Sequence, residues 1–158
     1  MKTQLLLIAI AVLLVACSTE TTNRSVTYAE NITEHSISGR AYFQGSIDEY
    51  TSFELAPHEK KEINENGGWG QKNGKGRSYG STITFQDSIL VIFDHKDTIA
   101  HYKPTLMGGA KHFYPFSSPR NLYNEANYIE TAIEKTSYSS KHYFLYTFTE
   151  QDYLDAKQ

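Results

Sequence analysis

The run SILVIF, Ser88–Phe93, constrains this chain more than any other feature. It is apolar after its first residue, long enough for a strand and too short for a buried helix. The pattern predicts a central strand covered on both faces. Asp94, His95, Lys96 and Asp97 follow as a turn, and residues 98–102 alternate as a returning strand.

Other segments repeat this grammar. Residues 36–43 alternate in part and end near Gly45. Residues 50–55 run up to Pro57, and 59–63 form a shorter candidate strand. Residues 81–85 would place Ile83 and Phe85 on one face; residues 128–135 would keep Ile129 and Ile133 in phase. Residues 142–148 are aromatic, with Tyr143 and Leu145 pointing opposite to Phe144, Tyr146 and Phe148. Helix is expected in two places only. One is a short turn within residues 119–126. The other begins at a capping box, Thr149 with Asp152, and runs through Ala156, with Tyr153 and Leu154 packing on the sheet. The expected fold is mainly β, an antiparallel β-sandwich or small barrel with a short C-terminal helix.

The N-terminus is a different kind of segment. After Lys2, residues 5–16 are an unbroken apolar run of twelve. That length suits a secretory signal and falls short of the ~20 residues a spanning helix requires. The run ends Leu14, Val15, Ala16, Cys17, and this resembles the bacterial lipobox. The resemblance implies cleavage before Cys17 and acylation of that cysteine, the only one in the chain. Several acyl chains hold a protein on a membrane stably where one does not.

On this reading residues 1–16 are a lipoprotein signal peptide. Residues 17–25 are the lipidated cysteine and a flexible tether, and 26–158 form a single β-rich domain. Ser18 is not the aspartate associated with inner-membrane retention, so an outer-membrane location is favoured. Removing residues 1–16 takes away Lys2 and no acid, moving the formal charge from −3 to −4. Neither value suits a nucleic-acid binder. Residues 64–80, rich in glycine, are expected to form a mobile loop.

Catalytic motifs are sparse. The glycine-rich stretch fails the P-loop pattern, because Gly74 and Lys75 are followed by Gly76 and the first glycine position is Trp69. Trp69 with Lys72, Lys75 and Arg77 offers a contact surface for an anionic sugar or a protein. Asp94, Asp97 and His101 could meet on adjacent strands as a metal or hydrolytic site, but turns favour Asp anyway. No GxSxG elbow and no free cysteine supplies a nucleophile. No metal and no cofactor is expected.

Two resemblances extend this reading. Residues 53–57 with 61–63, the segment STITFQDSILVIFDHKD, and residues 146–153 together resemble small Bacteroidetes lipoproteins, a group that implies no catalytic residues. Ser38, Gly39, Arg40, Ala41 and Tyr42 are similar to the SGxxY motif of the MliC/PliC lysozyme inhibitors, which implies inhibition through Ser38 and Tyr42. The expectation is a membrane-anchored lipoprotein with a non-enzymatic binding or structural role and an envelope protein or glycan as partner. The alternatives are a c-type lysozyme inhibitor and a small envelope hydrolase.

Overall fold

The computed structural model describes residues 21–70, 76–105 and 109–158. Two sheets carry the fold. The first holds β1 (Thr21–Asn31), β4 (Lys60–Gly70), β8 (Ile129–Lys135) and β9 (Ser139–Phe148), in the order β4-β1-β9-β8. The second holds β2 (Ile37–Phe43), β3 (Ser46–Leu55), β5 (Ser88–Phe93), β6 (Asp97–Tyr102) and β7 (Phe113–Tyr114), in the order β3-β2-β5-β6-β7. The chain is mainly β and sandwich-like, with one C-terminal helix. Its sheets are mixed, because β1 runs parallel to β9 over ten residue pairs and β7 parallel to β6.

β5 takes the middle place in its sheet, as SILVIF predicts. Its burial alternates, however. Ile89, Val91 and Phe93 are fully buried, while Leu90 and Ile92 are only half-buried. One face therefore meets the core and the other stays partly open. The core side gathers Ile37, Leu55, Ile99, Tyr146 and Phe148, and it is closed by Tyr79, Ile83, Leu122 and Tyr128 from the connecting segments.

Several boundaries differ from expectation for one reason: backbone pairing reaches further than apolar patterning. Residues 21–25, expected as tether, are the first part of β1. They lie between residues 66–70 of β4 and 139–142 of β9. Ladder hydrogen bonds on both sides satisfy a backbone whose polar side chains give no strand signal. Likewise β4 continues from Ile63 through Gly70, so the first seven residues of the expected loop are strand. Residues 71–75 of that loop lie outside the described residues.

Residues 81–85 are not a strand. A single helical turn, α1 (Tyr79–Thr82), passes into a 3-10 turn, Ile83–Phe85. Ile83 is buried and Phe85 is 77% exposed, so the two do not share a face. Gly80 sits against the Leu122 carbonyl, 2.9 Å from where a Cβ would lie, and this close approach seats the turn. In β8 a register shift at Thr131 places Ile129 opposite Leu145 and Ile133 opposite His142. That puts the two isoleucines on opposite faces and breaks their expected phase.

Within residues 119–126 the expected helical turn is reduced to a 3-10 turn at Glu125–Asn127. The buried Asn121 organises the remainder. Its Nδ2 donates to the Tyr102 and Tyr114 carbonyls, and its Oδ1 accepts from the Tyr123 amide. The C-terminal helix α2 (Glu150–Lys157) begins at the expected capping box, with Asp152 accepting the Thr149 amide at 2.7 Å. Tyr153 packs on the core, but Leu154 is 46% exposed, because the helix turns that side to solvent.

Candidate functional site

The end of the first sheet that contains residues 21–25 presents polar side chains inward. Ser140 and His142 lie two apart on β9, so both project from the same face. Asn23 pairs with Ser140 and Ser25 with His142 across β1. On the other side, β8 places Lys135 opposite Ser140 and Ile133 opposite His142. The bulge at Thr131 brings Glu130 onto this face as well, opposite Phe144.

These residues form a chain of contacts. His142 Nδ1 lies 2.5 Å from Glu130 Oε1, and His142 Nε2 lies 3.2 Å from Ser140 Oγ. Ser140 Oγ in turn donates to Asn23 Oδ1 at 2.5 Å. Gly76 lies directly over the imidazole. A Cβ there would fall 2.5 Å from His142 Cβ, so only glycine permits the approach. The next residue, Arg77, donates its amide to Ser25 Oγ at 2.9 Å. Ser140 and His142 are buried, whereas the Glu130 side chain is 40% exposed on the edge strand. The Ser140 proton goes to Asn23, so His142 Nε2 is the donor toward Ser140, and the chain satisfies the polar atoms buried at this end of the sheet. Sequence reasoning passed over all three residues. The one available signal was the serine–x–histidine spacing on a strand, which guarantees a shared face and nothing more.

A second polar network holds α2 to the body. Asp152, 1% exposed, takes a two-pronged contact from Arg120 Nε and Nη2 and also accepts the Tyr114 hydroxyl at 3.1 Å. Tyr114 also donates to Asp155 at 2.6 Å, and Tyr146 donates to the Arg120 carbonyl at 2.6 Å. Burial raises the Tyr114 and Tyr146 hydroxyls well above their ordinary range, so both remain neutral donors. Beside this network, His101 Nδ1 accepts the Leu122 amide at 3.0 Å, while its Nε2 has no partner. Burial, followed by the nearby Arg120 guanidinium, lowers the His101 imidazole to about 3. Every other member of this network is engaged, and the arrangement reads as a structural clasp.

The structure separates the residues suggested for a metal or hydrolytic cluster. Asp94 sits at the β5–β6 turn, 2.5 Å from His35 Nδ1, and accepts the Ser36 amide at 2.9 Å. The His35 hydrogen bond is the main cause holding the Asp94 carboxyl below its usual value. His101 is buried in the core, and Asp97 lines a surface cleft of about 360 Å³ with Lys96, Lys111 and His112. The three do not converge, because the turn faces Asp94 away from the core that holds His101. Among the described residues, no three His, Cys, Asp or Glu side chains are placed to hold a metal ion.

The suggested partner-binding residues fare differently from one another. Ser38 is 6% exposed as the second residue of β2, paired with Glu54 on one side and Ile92 on the other. A serine locked there is not on a loop, and this removes it as a contact residue. Tyr42, on the same strand, is half-buried opposite Ile47 and Ser88. The Trp69 backbone pairs with Thr22, and its side chain lies outside the described part of the structure. Cys17 also lies outside the described residues. No helix among the described residues is long and apolar enough to cross a membrane. Comparisons with protein-family models, with curated proteins and with solved structures find no match to this chain.

Proposed function

We propose that the protein is a bacterial envelope lipoprotein whose β domain is held at a membrane surface by acylated Cys17. The observation that carries this reading is the single cysteine of the chain, placed where a twelve-residue apolar run ends in Leu14, Val15 and Ala16. An outer-membrane location follows from Ser18 after the cysteine.

The start of β1 supports a short leash. Only three residues separate Cys17 from Thr21. At full extension they reach roughly 10 Å. Thr22 donates its amide to the Tyr138 carbonyl and pairs with Ser139 and Trp69. This end of the first sheet would therefore face the lipid. Tyr138 is 61% exposed there, and an aromatic ring with a polar tip suits a membrane interface.

The test is Cys17→Ala in the native host. The expected outcome is loss of acyl labelling and movement of the protein out of the membrane fraction. Unchanged membrane attachment of the variant would refute the anchor.

A further inference from the structure

We propose that the anchored end of the sandwich is itself a membrane-contacting surface, on which the β2–β3 hairpin tip and the 3-10 turn place Phe43, Ile47 and Phe85 in the interfacial layer of a lipid bilayer. The inference rests on the lipid anchor at Cys17 and extends it from a tether to a fixed orientation of the domain. Strand direction locates the surface. At the end away from Thr21, Asn31 closes β1 and donates Nδ2 to the His35 carbonyl, just before β2, and to the Ala56 carbonyl, just after β3. Midway, Tyr79 bridges the sheets: its amide donates to Thr27 Oγ1 on β1 at 2.9 Å and its hydroxyl to the Thr51 carbonyl on β3. Hence β1 and β3 run the same way, and β2 runs antiparallel to both β3 and β5. The end of β2 and the starts of β3 and β5 therefore lie at the end of the sandwich where β1 begins.

What this end exposes is aromatic and apolar. Gln44 and Gly45, at φ 50° and 79°, make the two-residue hairpin turn. Phe43 pairs with Ser46 and Tyr42 with Ile47, so Phe43 and Ile47 project from opposite faces of the hairpin. They are 45% and 47% exposed, and a tip that is apolar on both faces is not explained by a core on one of them. Asp87 donates its amide to the Tyr42 carbonyl at 2.7 Å and accepts the Gln44 amide at 2.8 Å. That clamp holds the 3-10 turn beside the tip, with Phe85 77% exposed. Tyr138 adds a fourth exposed side chain from the first sheet. The opposite end exposes Ile32 and Leu154, neither of them aromatic. Aromatic side chains concentrate where a protein meets the headgroup layer.

The chain between lipid and domain makes the bilayer the occupant of this surface. Three residues lie between Cys17 and Thr21, a leash of roughly 10 Å. The two sheets are unequal in length. From Asn31 back to Thr21 is ten steps along β1, and from Ile37 to Phe43 is six along β2. At about 3.3 Å per step the first sheet reaches roughly 13 Å further. A domain held by its longer sheet on so short a leash leans toward the shorter one, and the lean carries the hairpin tip and Phe85 to the headgroups. Lys103 and Asp87 at this end pair with each other at 3.4 Å, so their charges offset. The contact is therefore apolar and aromatic and does not depend on anionic lipid.

The test uses the acylated protein in phosphatidylcholine vesicles. The chain's single cysteine carries the acyl group there, so a cysteine placed elsewhere is the one reactive thiol. An environment-sensitive fluorophore is attached through Phe85→Cys or Ile47→Cys at the anchored end, and through Ile32→Cys or Leu154→Cys at the other; all four side chains are exposed, so the fold tolerates the change. The expected result is a blue shift, with quenching by nitroxide-bearing lipid, at positions 85 and 47 and neither effect at 32 and 154. Phe43→Ser should reduce the quenching at position 85, and high salt should leave it unchanged. Equal quenching at both ends, or none at either, in a chain that still floats with the vesicles overturns the docking and leaves the anchor standing. So does quenching at position 85 that high salt abolishes. A chain that fails to float with the vesicles overturns the anchor and the docking together.

Discussion

Acid should unfold this protein through His101 before its carboxylates titrate. The imidazole is 1% exposed, its Nδ1 is committed to the Leu122 amide, and the Tyr114 ring stands edge-on with centroids 5.2 Å apart. Burial lowers its pKa from 6.5 to about 3, and the Arg120 charge pushes in the same direction. Between those values the unfolded chain binds a proton that the folded chain refuses. Stability therefore rises with pH across this window and falls on acidification. The linkage relation gives a loss of about 2 kcal/mol between pH 7 and pH 5 from this residue. Asp48 and Asp94 act in a separate window. Their folded values lie below 3.8, so the stability they add is lost only at lower pH. The assay is urea unfolding at pH 7, 6 and 5, in parallel with His101→Asn. Asparagine keeps an acceptor in the Nδ1 position and cannot titrate. The variant should be less stable at pH 7 but should lose about 2 kcal/mol less than the parent on going to pH 5. Equal losses in the two proteins would refute the account of a buried, uncharged His101.

Two further variants probe the body of the fold. Asp152→Ala removes the group that caps α2, accepts Tyr114 and pairs with Arg120, and it should cost about 3–5 kcal/mol in urea unfolding; a loss under ~1 kcal/mol would mean that the clasp is not holding the helix. Gly39→Ala places a Cβ 2.3 Å from the Phe53 ring and should cost about 1–3 kcal/mol. Gly68→Ala, with nothing within 4 Å, should instead be stabilising by up to about 1 kcal/mol, so a shared sign would refute the packing argument.

The second sheet was the more legible half. SILVIF marks a central strand by its unbroken apolar run, and the turn and returning strand follow it locally; only the structure shows that one face of that strand meets the core and the other stays partly open. The first sheet was harder to read at its polar end. Residues 21–25 and 64–70 contain few apolar side chains, and at this end of the sheet Asn23 and Ser25 pair with Ser140 and His142 rather than with apolar residues. Their strand character comes from hydrogen bonds to partners far along the chain. The Thr149–Asp152 cap was readable because it depends on residues three apart. The capped Asp152 also anchors Arg120 and Tyr114, contacts that span more than thirty residues and leave no local trace.

By itself the sequence determined a mainly β chain, a central apolar strand, a capped C-terminal helix and a lone cysteine at the end of an apolar run. Each is a local matter of residue type and spacing. Only the tertiary structure decided that β1 joins β9 in parallel and that Ser38 is buried. It also decided that Glu130 reaches His142 past a one-residue bulge. Those outcomes depend on register between distant strands, and register is chosen by the whole set of pairings at once. The serine, histidine and glutamate at the sheet end became a constellation only when that choice was made.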